Sequence, residues 1–209
     1  MARTQNTLET PVPEQWKLAL IHPIPKVSNP TSPADYRPIS IVPILSRIIE
    51  RVVVRTYMYP EFCKPPLAEE LRDQCAFRPT GSTAAAVTAL LHHTTELLKT
   101  NDFVVIISTD YSKAFDTLRH ATLAQILNTF DIPDNIYNWL LNYFCDRGHA
   151  TNFASETSSI ARINASVIQG SVVGPASFIT SFSGLHPKNE TNINVKYADD
   201  SYLLIGSNL

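Results

Sequence analysis

No stretch of this 209-residue chain is apolar for the roughly 20 residues that a membrane-spanning helix needs. The first residues, Met1-Ala2-Arg3-Thr4-Gln5-Asn6, lack the apolar segment of a secretory signal. These two absences give the expectation of an intracellular chain, in the cytoplasm, the nucleus or both. An excess of basic residues is missing too. The net charge is -2, so affinity for a polyanion has to come from local basic positions. Cysteine is scarce: Cys63, Cys75 and Cys145 are odd in number and irregularly spaced. That excludes a disulfide framework or a cysteine metal site and predicts free thiols. Repeats and low-complexity tracts are absent. The six histidines, His22, His92, His93, His120, His149 and His186, share no motif, and surface or capping roles are expected of them.

What is present suits a packed protein. Hydrophobic residues make up 44% of the chain, enough for a core, and the length fits one large domain or two small ones. Residues 1–13 are polar and punctuated by proline, as in a flexible lead-in. Trp16 to Ile24 suits a strand, and the five prolines from Pro23 to Pro38 predict a loop or hairpin. Ile44, Leu45, Ile48, Ile49, Val52 and Val53 recur at helical spacing behind Pro43. Residues 60–81 look loop-rich. A second helix is predicted from the Ser82-Thr83 cap, burying Val87, Leu90, Leu91, Leu97 and Leu98. Phe103 to Ile107 is a short β-branched run without alternation, which predicts a strand buried on both faces. Leu123, Ile126, Leu127 and Phe130 mark another helix. Pro133 opens the next, with Ile136, Trp139, Leu140, Tyr143 and Phe144 inward and Arg147-Gly148 closing it. From residue 150 short strands and turns are expected. The mixture is α+β.

Chemistry concentrates near the end. Ile193, Val195 and Tyr197 alternate with Asn192, Asn194 and Lys196, which predicts a strand with one wet and one dry face. Tyr202-Leu203-Leu204-Ile205 suits a second strand, and Asp199-Asp200 falls in the turn between them. Adjacent carboxylates repel one another unless a divalent cation joins them, and hard oxygen ligands suit Mg²⁺. Asp110 follows the apolar run Phe103–Ile107, where a strand would fix it and its exit would expose it. Three carboxylates from two neighbouring strands could hold two Mg²⁺ ions for an in-line phosphoryl displacement. Taken alone, Asp110 reads as the cap of the helix that follows, and for Asp116 the cap is favoured.

Six blocks in order then carry a resemblance. They are Trp16-Lys17 with Pro25-Lys26; Asp35-Tyr36-Arg37-Pro38-Ile39-Ser40; Phe77-Arg78-Pro79 with Ser82-Thr83; Asp110 to Asp116; Gln169-Gly170-Ser171 with Gly174-Pro175; and Tyr197 to Asp200. From about Pro13 onward the chain resembles the reverse transcriptase domain of LINE-like retrotransposons, which lack long terminal repeats. The resemblance implies the fingers and palm of a right-hand polymerase, with an antiparallel palm sheet packed on helices. Residues 14–209 would be a partial domain, about 14–100 mainly fingers and about 101–209 mainly palm. It implies an RNA-directed DNA polymerase that adds dNTPs to a primer 3′-hydroxyl on an RNA template, with two Mg²⁺ ions or Mn²⁺ in their place.

The site residues are carried by the same resemblance. Asp110, Asp199 and Asp200 match the metal-binding aspartates, Asp200 being the less direct ligand. Phe115 matches the bulky residue that excludes a 2′-hydroxyl. Lys26 and Arg37 match basic residues that grip the triphosphate. Gln169 matches a contact near the incoming sugar, and Gly170 would let backbone approach nucleotide or template. Tyr197 would lie beside the primer. Arg78 either contacts template or nucleotide, or braces the fingers. Ala76 and Pro175-Ala176-Ser177-Phe178 depart from the family pattern outside these positions. The sequence stops at Leu209, so a fragment with the thumb absent is expected, weakly active or inactive alone. A catalytically inactive remnant that only binds nucleic acid or a partner is the alternative. A metal-dependent nuclease or phosphatase shares the carboxylates but leaves Phe115, Gln169 and the basic positions unexplained.

Overall fold

The computed structural model describes residues 11–111 and 114–208. Most of the lead-in, and Ser112-Lys113 within the Asp110–Asp116 block, lie outside the described residues. Along the chain come helix α1 (Glu14–Lys17), strands β1 (Leu18–Pro25) and β2 (Tyr36–Ile41), and helix α2 (Ile44–Val53), which runs on as a wider turn over Val54–Met58. Short helices α3 (Tyr59–Glu61) and α4 (Leu67–Glu70) precede the long α5 (Thr83–Leu97) and strand β3 (Phe103–Thr109). Helices α6 (Ala114–Thr117), α7 (His120–Leu127) and α8 (Asp134–Phe144) follow. Strands β4 (Gly148–Phe153), β5 (Glu156–Thr157) and β6 (Ala161–Arg162) lead to helix α9 (Val173–Ser181) and the final pair, β7 (Ile193–Tyr197) and β8 (Asp200–Ser207). The fold is mixed α+β.

The chain forms two compact units, each assembled from two separate segments. The first takes residues 1–58 and 115–174. Its sheet has the order β2-β1-β4-β5, with β6 also on β4. β1 and β2 form an antiparallel hairpin, and β1 runs parallel to β4. The proline-rich stretch is therefore the hairpin's excursion. Helices α7 and α8 supply much of the core here, with Leu123, Leu127, Leu140 and Tyr143 almost completely buried. α8 ends at Phe144, before Arg147-Gly148. Asp146 takes the left-handed turn (φ 54°), while Gly148 already begins β4.

The second unit takes residues 59–114 and 175–209. Its sheet has the order β3-β8-β7, antiparallel throughout. α5 starts at Ser82, whose side chain accepts a hydrogen bond from the Ala85 N–H at 3.1 Å. Phe62, Leu71, Phe178, Ile179, Val195 and Leu204 are buried in this unit.

Three faces depart from the sequence pattern. β3 is not buried on both faces: Phe103, Val105, Ile106 and Ile107 are exposed. β3 is the outer strand of its sheet, and α5 packs on β7 and β8. α5 leaves Val87 and Leu91 exposed, as is Leu98 at its C-cap, and none of its residues is buried. On α2 the expectation is inverted. Ile44 is 75% exposed while Ser46 and Glu50 are fully buried. The polar pair is inside because it is satisfied there: Ser46 Oγ donates to Glu50 Oε1 at 2.7 Å, and Val172 N–H donates to Glu50 Oε2 at 2.7 Å. Helix α9 stands where only turns and strands were predicted.

Candidate functional site

β7 and β8 meet through a two-residue turn, Ala198-Asp199, with Tyr197 opposite Asp200. β3 runs antiparallel to β8 and ends with Thr109 opposite Ser201. The chain thus leaves β3 into Asp110 at the end of the sheet where β8 begins with Asp200. Register alone brings Asp110, Asp199 and Asp200 to one end of one sheet, all within the second unit. Asp110 and Asp200 are exposed and Asp199 is half-buried. None of the three has a side-chain hydrogen bond or ion pair among the described residues. Hard, unpartnered carboxylate oxygens are the donor type that Mg²⁺ takes, and in this respect the residues fit the metal. Among the described residues no three acidic, histidine or cysteine side chains close into a metal-holding cluster.

The wet face predicted for β7 contains an exception. Lys196 is buried, its Nζ 2.9 Å from Asp73 Oδ1, and it donates to the carbonyls of Leu185 at 3.0 Å and Phe182 at 3.3 Å. Tyr197 is half-buried beside the turn. Arg78 directs its guanidinium to the carbonyls of Leu71 and Gln74, an arrangement that braces its own loop. Asp116 lies inside α6 and not at its cap.

The remaining candidates belong to the first unit. Lys26 follows the end of β1, and its backbone N–H donates to the Asp35 carbonyl at 2.7 Å. Arg37 sits opposite Ile24 in the hairpin, two residues before Lys26, so the two basic residues lie at the same end of it. The Lys26 ammonium reaches the Ala34 carbonyl at 3.1 Å, while the Arg37 guanidinium is exposed and unpaired among the described residues. The connecting loop is tied by Asp35, whose Oδ2 accepts the Thr31 and Ser32 N–H groups, each at 2.8 Å. Those backbone hydrogen bonds, Thr31 first, hold its carboxyl below the usual value.

Gln169 and Gly170 pack against β2. Ser40 N–H donates to the Gln169 carbonyl at 3.0 Å. Gly170 has φ 114°, and a Cβ there would stand 2.5 Å from the Ser40 carbonyl oxygen. The close approach this glycine permits is therefore to Ser40. Gln169 also lines a cavity of about 350 Å³ with Pro38, Ser40, Asp116, His149 and Ser166. Phe115 is half-buried on α6, and its carbonyl accepts the Val167 N–H at 2.8 Å.

Two residues that sequence reasoning passed over hold these loops. Glu50 binds the N–H of Val172, just past Ser171. Gln74 binds both backbone groups of Ala198 in the aspartate turn. A glutamate within an apolar helix pattern was the available signal for the first. A lone glutamine before Cys75 gave none for the second.

The family model described as "Reverse transcriptase (RNA-dependent DNA polymerase)" matches residues 24–208. The chain belongs to the reverse transcriptase family. It is 29% identical to the probable RNA-directed DNA polymerase from transposon BS of Drosophila melanogaster, over 94% of this chain and 22% of that protein. It is 28% identical to the RNA-directed DNA polymerase from mobile element jockey of the same fly, over 93% of this chain and 22% of that protein. The chain thus spans about a fifth of the length of these relatives. In fold it is similar to the telomerase of Candida tropicalis in complex with a fragment of telomeric RNA. The TM-score is 0.64 at 12% identity, over 95% of this chain and 37% of the telomerase. Reverse transcriptases as a family use divalent metals. No helix among the described residues is long and apolar enough to cross a membrane.

Proposed function

We propose that this reverse transcriptase chain carries the nucleotidyl-transfer centre of an RNA-directed DNA polymerase from a LINE-like element. The observation that supports this most is the register placing Asp110 beside Asp199-Asp200 at one end of the β3-β8-β7 sheet. Asp110 and Asp199 would hold two Mg²⁺ ions, or Mn²⁺, with Asp200 the less direct ligand. When bound, the metals supply charge neutralisation at the attacking and leaving oxygens. Arg37 offers a free planar fork to the triphosphate, and Lys26 adds a compact charge from just past the neighbouring strand. Phe115 closes the sugar site against a 2′-hydroxyl and Gln169 orients the sugar. Tyr197 flanks the primer terminus. Arg78 acts through its loop. Residues from about 101 onward would be mainly palm and those before mainly fingers. The substrates are an RNA template, a DNA primer and dNTPs, which would place the chain in the cytoplasm or nucleus.

Primer extension on an RNA template with Mg²⁺ tests this, on the chain alone and fused to a thumb from a relative. Extension by the fusion is expected, with Asp199→Ala lowering it by at least about 100-fold. Binding of primer–template without Mg²⁺-dependent extension, or extension that survives Asp199→Ala, overturns the proposal.

A further inference from the structure

Gln74 lies 125 positions before Asp199 in sequence yet its side chain reaches the turn that carries Asp199. It is 2% exposed. Its Oε1 accepts the Ala198 N–H at 3.0 Å, and its Nε2 donates to the Ala198 carbonyl at 3.3 Å. The same Oε1 accepts the Ala76 N–H at 2.9 Å. Two N–H groups aimed at one oxygen fix which end of the carboxamide faces them. A carboxamide presents a donor and an acceptor side by side, the complement of a peptide's own N–H and C=O. Gln74 thereby stands in for a strand at a point where the chain has turned away from its sheet.

Ala198 needs such a hold. Its φ is 57°, in the left-handed region that residues with a Cβ avoid. In a two-residue hairpin turn this position ordinarily falls to Gly, Asn or Asp. Here alanine adopts it with both backbone groups engaged from outside. The base of the clamp is itself anchored. Cys75 N–H donates to the Lys196 carbonyl at 2.8 Å and Lys196 N–H to the Asp73 carbonyl at 2.7 Å, on either side of Gln74. The buried Asp73 carboxylate adds Lys196 Nζ at 2.9 Å and His186 Nδ1 at 3.3 Å. The whole device lies within the second unit.

We infer that Gln74 is a positioning residue for the aspartate turn, gripping Ala198 so that Asp199 and Asp200 present their carboxylates at the start of β8. The inference deepens the polymerase proposal and rests on it for the role of the aspartates. It predicts that the metal site loosens when the carboxamide is lost, although Gln74 touches neither metal nor substrate.

The test compares Gln74→Leu, which keeps bulk without hydrogen bonds, with Gln74→Glu, which keeps the acceptor and loses the donor. In the folded Leu variant the Ala198 amide is expected to exchange with solvent about tenfold faster, with the Glu variant between it and the parent. Broadening of the Asp199 and Asp200 resonances by Mn²⁺ is expected only at several-fold higher metal. In extension assays the Mg²⁺ needed for half-maximal rate should rise about fivefold at unchanged KM for dNTP, and excess Mg²⁺ should restore the rate. General destabilisation would speed exchange throughout the second unit, whereas loss of the clamp speeds it at Ala198 and its neighbours. Unchanged Ala198 exchange with unchanged metal dependence overturns the inference. If Gln74→Leu does not fold, Gln74→Glu decides by the same readouts. A parent chain that shows no extension when fused to a thumb fails the polymerase proposal, while amide exchange and Mn²⁺ broadening still decide the clamp.

Discussion

Asp110, Asp200 and Glu50 show two opposite surroundings for a carboxylate. Asp110 and Asp200 are open to solvent with no side-chain partners among the described residues. Glu50 is sealed from water with a hydroxyl and a backbone N–H on its two oxygens. Glu50→Ala leaves those donors buried and unmet, and should cost about 2–4 kcal/mol in urea unfolding. Glu50→Gln keeps an acceptor and should cost less than half of that. Arg37→Ala should raise KM for dNTP roughly tenfold, as expected when one charge-assisted phosphate contact is lost. His120 gives a pH signature. Burial depresses its pKa below the ordinary 6.5, and the Arg147 charge adds to this against the opposing Ser166 carbonyl. The unfolded chain therefore takes up the proton first. Stability is full above about pH 6.5 and falls as pH drops below it, until the folded imidazole also protonates. Thermal melts of the parent and His120→Gln between pH 5 and 7.5 should converge at the acid end.

At the scale of elements, the period of apolar residues located the helices better than it located their faces. α7 and α8 were legible because Leu123, Leu127, Leu140 and Tyr143 both repeat at helical spacing and are buried. The repeat on α2 was equally clear and, Val53 apart, points outward, because hydrophobic spacing states which face could be buried and not which neighbour is there. Leu140→Ala should therefore cost about 2–5 kcal/mol, whereas Ile48→Ser should stay within about 0.5 kcal/mol, both read from urea unfolding. Helix α9 was hidden by Gly174-Pro175, a pair disfavoured in helix interiors. Both fit a helix's first turn, where proline's missing N–H has no intrahelical partner. Gly174 is demanded by packing, since a Cβ there would lie 2.4 Å from a Val167 methyl. The aspartate hairpin was legible from alternation alone. Its clamp was not, because a side-chain contact across more than a hundred residues leaves no local pattern.

At the scale of the molecule, each unit is stitched from two distant segments, and no single cut releases either. β3 obtains its only sheet partner among the described residues, β8, from the far end of the chain. A peptide of residues 59–114 should therefore be unfolded by circular dichroism, and adding residues 175–209 should restore β-structure. Pairings of such sequence separation also predict slow folding. With Arg37 on the triphosphate and Gln169 on the sugar, as proposed, the contact between Ser40 and the Gln169-Gly170 peptide would bear on substrate selection. Ser40 is three residues along β2 from Arg37, and the space between its carbonyl and Gly170 is too small for a methyl group. A triphosphate that shifts Arg37 would transmit the displacement along β2 to Gln169 instead of having it absorbed by slack. Recognition of phosphate and of sugar would then be thermodynamically linked, and a double-mutant cycle between Arg37→Ala and Gln169→Ala should depart from additivity.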